Sequence, residues 1–97
     1  MSGYVYLIHF DTKIGHARHY LGYTIDVDRR MAMHRRGAGA RLMEVVKERG
    51  VTWAVAWVRI GDRTEERRLK NYHKSAQLCP LCQLEKEHDH ATRNTQV

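Results

Sequence analysis

The sequence predicts a small α/β domain, a mainly antiparallel three-stranded sheet flanked by helices, and three observations carry that expectation. Two segments rich in aromatic and β-branched residues, Gly3 to Phe10 and His16 to Tyr23, are separated by a short polar stretch ending in Gly15, the pattern of a hairpin. A third stretch of strand composition, Val51 to Ile60, stands apart from them. Around it lie three segments of helical period, Asp26 to Arg36, Ala40 to Arg49 and Arg63 to about Ala76. The chain of 97 residues is long enough for one domain with a modest core and too short for two.

Each element has its own local reason. The first strand reads Gly-Tyr-Val-Tyr-Leu-Ile-His-Phe, apolar in nearly every position, which suits burial on both faces, with Tyr4, Tyr6, Ile8 and Phe10 sharing one of them. The second ends Tyr20-Leu21-Gly22-Tyr23-Thr24, where Gly22 marks a close approach of the backbone to something else. Asp26 is suited to cap the first helix. Along that helix Val27, Arg30, Met31 and His34 fall on one side, and Arg29, Ala32 and Arg36 on the other. A helix built only for packing keeps its cations on the wet face, so Arg30 and His34 beside the apolar stripe suggest a phosphate-handling site. Gly37-Ala38-Gly39 interrupts the pattern before the second helix, a packing element with Leu42, Val45 and Val46 on one side and Gly50 as its stop. The third strand has apolar residues on both faces, with Trp53, Val55 and Trp57 expected to share one, as for a strand covered by helices. The third helix carries Glu65 and Glu66 beside a narrow stripe through Leu69, Tyr72 and Ala76, and periodicity leaves open which glutamate points inward.

The formal charge of +6, from seventeen Lys and Arg against eleven acids, favours a polyanionic partner, nucleic acid above all, over a merely solubilising surface. No apolar run is long enough to span a membrane and no signal-peptide pattern opens the chain, so a soluble, cytoplasmic protein with reduced thiols is expected. The two cysteines form Cys79-Pro80-Leu81-Cys82. Joined to His88 and His90 they suggest a Zn²⁺ site, but those gaps are shorter than zinc-finger spacing, and a structural turn carrying reduced thiols is the favoured reading. The polar tail beyond Gln83 has almost nothing to bury.

The element order, with Tyr4-Val5-Tyr6 in the first strand and Tyr20-Leu21-Gly22 in the second, resembles the GIY-YIG endonuclease superfamily, specifically its small stand-alone members. The resemblance spans Tyr4 to Ala76, which sets a nuclease-like domain at 3–76 and a Cys-Pro-Leu-Cys segment with a polar tail at 77–97. It places the family's helix arginine at Arg30, ten positions after Tyr20, a histidine carried by many members at His34, and the metal-binding glutamate at Glu66, ahead of Leu69-Lys70. Leu78 to Cys82 is similar to a segment that closes some of those small members.

What the resemblance implies is DNA endonuclease activity, phosphodiester hydrolysis dependent on one divalent cation, Mg²⁺ or Mn²⁺, held by Glu66. Arg30 pairs with the scissile phosphate through its planar fork. Tyr6 or Tyr20 takes a proton from water, with Arg30 and His34 stabilising the phenolate, or His34 takes that proton itself or orients a tyrosine, and the sequence leaves these open. Arg29, Arg35, Arg36 and Lys70 are candidate DNA-backbone contacts, which position without specifying sequence, so specificity must come from DNA structure or from a protein partner. Residue by residue the plainer readings stand beside these: strand tyrosines, a helix-edge histidine, and Glu66 as an ion-pair partner of Lys70. Two rival functions follow, a nucleic-acid-binding module without turnover, and an interaction protein with a zinc-held C-terminal knob.

Overall fold

The computed structural model describes residues 3–71, 78–82 and 84. The expected continuation of the third helix to Ala76, the division after it, and the tail with His88 and His90 lie outside the described residues. Within them the chain runs β1 (Gly3–Ile14), β2 (Ala17–Thr24), α1 (Val27–Arg35), α2 (Arg41–Glu48), β3 (Trp53–Gly61) and α3 (Arg63–Asn71). The sheet is three-stranded with order β2-β1-β3, and both pairings are antiparallel. The α/β class expected from the sequence is the class observed.

β1 is central, which explains its near-continuous apolar run: Val5, Leu7, Ile8 and Phe10 are fully buried. Alternation along it serves two separate cores. Tyr6, Ile8, Phe10 and Ile14 face one way and pack with Met31 of α1 and with Met43 and Val46 of α2. Leu7 faces the other way and packs with Cys79 and Cys82, with Leu21 and Trp57 against them. Met43, absent from the stripe expected of α2, is wholly buried. The hairpin turn is tighter than the polar stretch suggested, because β1 runs on to Ile14 and Gly15 turns the chain at φ 61°.

β3 departs most from expectation. It is an edge strand and largely exposed, with Val58 and Ile60 open to solvent, so helices do not cover it on both faces. Its tryptophans also part company. A register shift opposite Leu7 and Ile8 pairs those residues with Trp57 and Val55 and leaves Ala56 as an extra residue. Trp53 therefore packs into the first core and Trp57 into the second. Among the described residues no helix is long and apolar enough to cross a membrane.

Candidate functional site

Asp26 caps α1, its side chain accepting from the Arg29 backbone N–H at 3.1 Å, and so sets the phase in which Met31 and His34 turn inward. Arg30, one turn before His34, is half-buried, while Arg29, Arg35 and Arg36 are exposed. Gly39, at φ 89°, lies in the loop between the two helices against the side chains of Arg30 and His34. A Cβ there would stand 3.3 Å from the Arg30 guanidinium and from the His34 ring.

On the sheet, Tyr6 of β1 stands opposite Gly22 of β2. A Cβ at position 22 would collide with the hydroxyl end of Tyr6 and come within 2.9 Å of Tyr20 Cε1, so the close approach read from Gly22 is the passage of the Tyr6 ring across its own neighbouring strand. Tyr6, Tyr20 and His34 form a mutual cluster, with ring centroids 6.1 Å apart for the tyrosines, 5.8 Å for Tyr6 and His34, and 5.4 Å for Tyr20 and His34. Tyr6 and His34 are each 1% exposed.

Hydrogen bonding orders this cluster. His34 Nδ1 lies 3.1 Å from the Ala38 carbonyl, which can only accept, so in the neutral ring Nδ1 carries the proton. Nε2 is then the acceptor, and the Tyr6 hydroxyl donates to it at 2.8 Å. Burial lowers the His34 pKa below its ordinary value, and the Arg30 charge lowers it further against the opposing bond to Ala38, so the neutral ring is the resting form. Burial likewise drives the Tyr6 phenol well above its ordinary range. Tyr20 and the Glu66 carboxylate reinforce that rise, and Arg30 opposes it. A phenolate stabilised jointly by Arg30 and His34, as the sequence suggested, is therefore not the resting arrangement: Arg30 acts in the expected direction, but desolvation outweighs it and His34 stays neutral.

Glu66 sits in the first turn of α3, whose N-terminus is capped by Asp62 through the Glu65 N–H at 3.0 Å. Its side chain is 18% exposed and lies 3.6 Å from Lys70 Nζ, the i, i+4 pair that the plainer reading anticipated. Glu65 pairs instead with Arg68 at 2.6 Å. Of the two glutamates left open by periodicity, Glu66 is the one whose charge reaches Tyr6. Beside this cluster a groove of about 320 Å³ is lined by Thr24, Ile25, Asp26, Arg29, Arg30 and Met33.

A second constellation occupies the second core. His9 of β1 and His19 of β2 are direct cross-strand partners, their Nδ1 and Nε2 atoms 3.4 Å apart. Cys79 Sγ and Cys82 Sγ each lie 3.4 Å from His9 Nδ1, and Cys82 Sγ lies 3.2 Å from His19 Nε2. All four ligand atoms fall within 4.8 Å of one another, a group able to hold a metal ion. The cysteines thus belong to more than a structural turn, and the imidazoles beside them come from the hairpin, where the sequence reading had looked to His88 and His90.

No family model, curated protein or solved structure matches this chain.

The residues that sequence reasoning missed are His9 and His19. A signal existed in principle, since two histidines flanked the hairpin. Reflection about the Gly15 turn, as the Ile14–Ala17 pair dictates, would have set His9 opposite Gly22. The register shift between His9 and Ile14 is what brings His19 alongside.

Proposed function

We propose that the Tyr6, Tyr20, Arg30, His34 and Glu66 cluster hydrolyses phosphodiester bonds in DNA. The observation that carries this reading is the Tyr6 hydroxyl donating at 2.8 Å to a neutral His34 whose other nitrogen is fixed on Ala38, with the Arg30 cation close by. As water attacks phosphorus, the Tyr6 oxygen accepts its proton while the Tyr6 proton passes to His34 Nε2. This route never requires a standing phenolate, which burial disfavours. A P–O bond forms, the bond to the 3′ oxygen breaks, and the imidazolium proton returns to the leaving side through solvent. Arg30, facing the groove it shares with Arg29, holds the phosphoryl oxygens through its fork.

Glu66 is the residue that would hold a hard divalent cation. A single carboxylate, largely shielded and held only loosely by Lys70 at 3.6 Å, suits Mg²⁺ or Mn²⁺ with water completing the shell. Such an ion, when bound, supplies positive charge to the phosphoryl and leaving oxygens. The element order and motif spacing that resemble GIY-YIG nucleases support the same assignment. Exposed Arg29, Arg35, Arg36 and Lys70 suit contacts along the DNA backbone.

Nicking of supercoiled plasmid in Mg²⁺, in Mn²⁺ and in EDTA tests the proposal. Cleavage is expected with either metal and not in EDTA, falling by about 10²-fold or more in Tyr6→Phe, Arg30→Ala and Glu66→Ala. Absence of cleavage on plasmid, branched and single-stranded DNA alike, with DNA binding retained, would replace the enzyme by a binding module.

A further inference from the structure

On the opposite face of β1 from Tyr6, we infer that His9, His19, Cys79 and Cys82 bind one zinc ion as a closed structural site. The inference rests on the geometry of these four side chains and is independent of the hydrolytic reading.

Zinc bonds of about 2.0–2.1 Å to nitrogen and about 2.3 Å to sulfur imply tetrahedral edges of about 3.3 Å between nitrogens and about 3.6 Å between nitrogen and sulfur. The observed separations are 3.4 Å for the two nitrogens and 3.2 to 3.4 Å for the Cys79–His9, Cys82–His9 and Cys82–His19 pairs, and all four ligand atoms lie within 4.8 Å of one another. Those four edges lie within a few tenths of an ångström of the tetrahedral values. Hydrogen bonding alone accounts for the arrangement poorly. His9 Nδ1 is approached at 3.4 Å by three groups at once, Cys79 Sγ, Cys82 Sγ and His19 Nε2, whereas one ring nitrogen offers either one proton or one lone pair. A cation satisfies all four groups together.

The donor set selects the metal. Two thiolates and two imidazoles, with no carboxylate among them, suit zinc and not Mg²⁺ or Ca²⁺. The sulfurs come from a Cys-x-x-Cys segment, a common zinc spacing, and the imidazoles from adjacent strands whose register is fixed by the sheet. Four protein ligands leave no position for substrate, and His9 and Cys79 are 1% and 0% exposed, so the site holds structure and does not perform chemistry. Metal uptake releases the proton of each thiol. What the ion secures is the 78–82 segment: it ties Cys79 and Cys82 to β1 and β2, where Leu78, Leu81 and Leu21 pack against the core of Leu7 and the cysteines and where Trp57 Nε1 donates to the Leu78 carbonyl at 2.9 Å.

The test uses the tag-free full chain, expressed with added zinc and purified without chelator. Elemental analysis is expected to return about one zinc per chain, retained in His88→Ala/His90→Ala and lost in Cys79→Ser/Cys82→Ser. Because the cysteine variant can fail to fold, the unaltered chain is also stripped with a chelator under reducing conditions and titrated with Co²⁺. Visible ligand-field bands of tetrahedral, thiolate-bound cobalt, abolished on adding equimolar Zn²⁺, are the supporting result. Substoichiometric zinc with no such bands overturns the inference, as does loss of metal in the His88→Ala/His90→Ala variant.

Discussion

His34 is the residue through which pH reaches stability and, on the proposed mechanism, activity. Its pKa is held below the ordinary 6.5 mainly by burial, so the folded protein resists a proton that the unfolded chain accepts. The sign follows directly: the stability linked to this group is complete above pH 6.5 and is lost as pH falls from there through the lower folded value. The proposed cleavage, in which neutral His34 receives the Tyr6 proton, would share that acid limb. Rate against pH is therefore expected to rise to a plateau with its midpoint below 6.5, and His34→Gln is expected to abolish the limb together with most of the activity. A midpoint near 10 would instead identify a titrating phenol, contrary to the upward shift of Tyr6. Arg30 and His34 were readable in the sequence because two polar groups on an apolar helical stripe require a reason. The direction of the Tyr6–His34 hydrogen bond was not, since it depends on the Ala38 carbonyl, four positions away and marked by nothing in its side chain.

Helix α1 and the hairpin do the positioning. Asp26→Ala removes the cap from a helix of nine residues, at a cost of about 1 kcal/mol, or about 4–8 °C in Tm for a domain of this size. Thermal unfolding followed by circular dichroism checks this, and a larger loss of cleavage than of Tm is expected, because the same turn orients Arg30 and His34. Boundaries of α1 were recoverable from the cap and the glycines that follow. β3 was misread because composition reports affinity for a pleated surface without saying which edge of the sheet it will occupy. Its bulge at Ala56 is equally silent: nothing in Trp-Ala-Val-Ala-Trp announces a break in alternation, yet that break sends Trp53 and Trp57 to different cores.

Across the whole molecule, charge would govern the proposed contact with DNA. If Arg29, Arg35, Arg36 and Lys70 each neutralise a phosphate, the plot of log binding constant against log salt is expected to lose about 0.9 in slope for every one replaced by alanine. Fluorescence anisotropy on a labelled duplex over a salt series measures it, and an unchanged slope would remove that residue from the interface. The α/β class followed from element order, and the net charge of +6 is the sequence feature behind the proposed polyanionic partner. The second core was not legible, because its members, Leu7, Trp57 and Cys79, are assembled from a central strand, an edge strand and a segment far along the chain. Contacts of that range leave no local period for a sequence to display.

Tyr6 and His9 share one continuous strand yet serve opposite faces of it, which is possible only because an odd number of steps separates them. Heredity is consequently bound by the number of letters between them as well as by the apolar character that the two cores demand of Leu7 and Ile8. Losing or gaining a single codon between the two would swing both side chains to the same side, stranding one cluster without its partner. Among descendants of this gene, only exchanges among apolar residues are expected between these positions, and the interval itself is expected to stay constant.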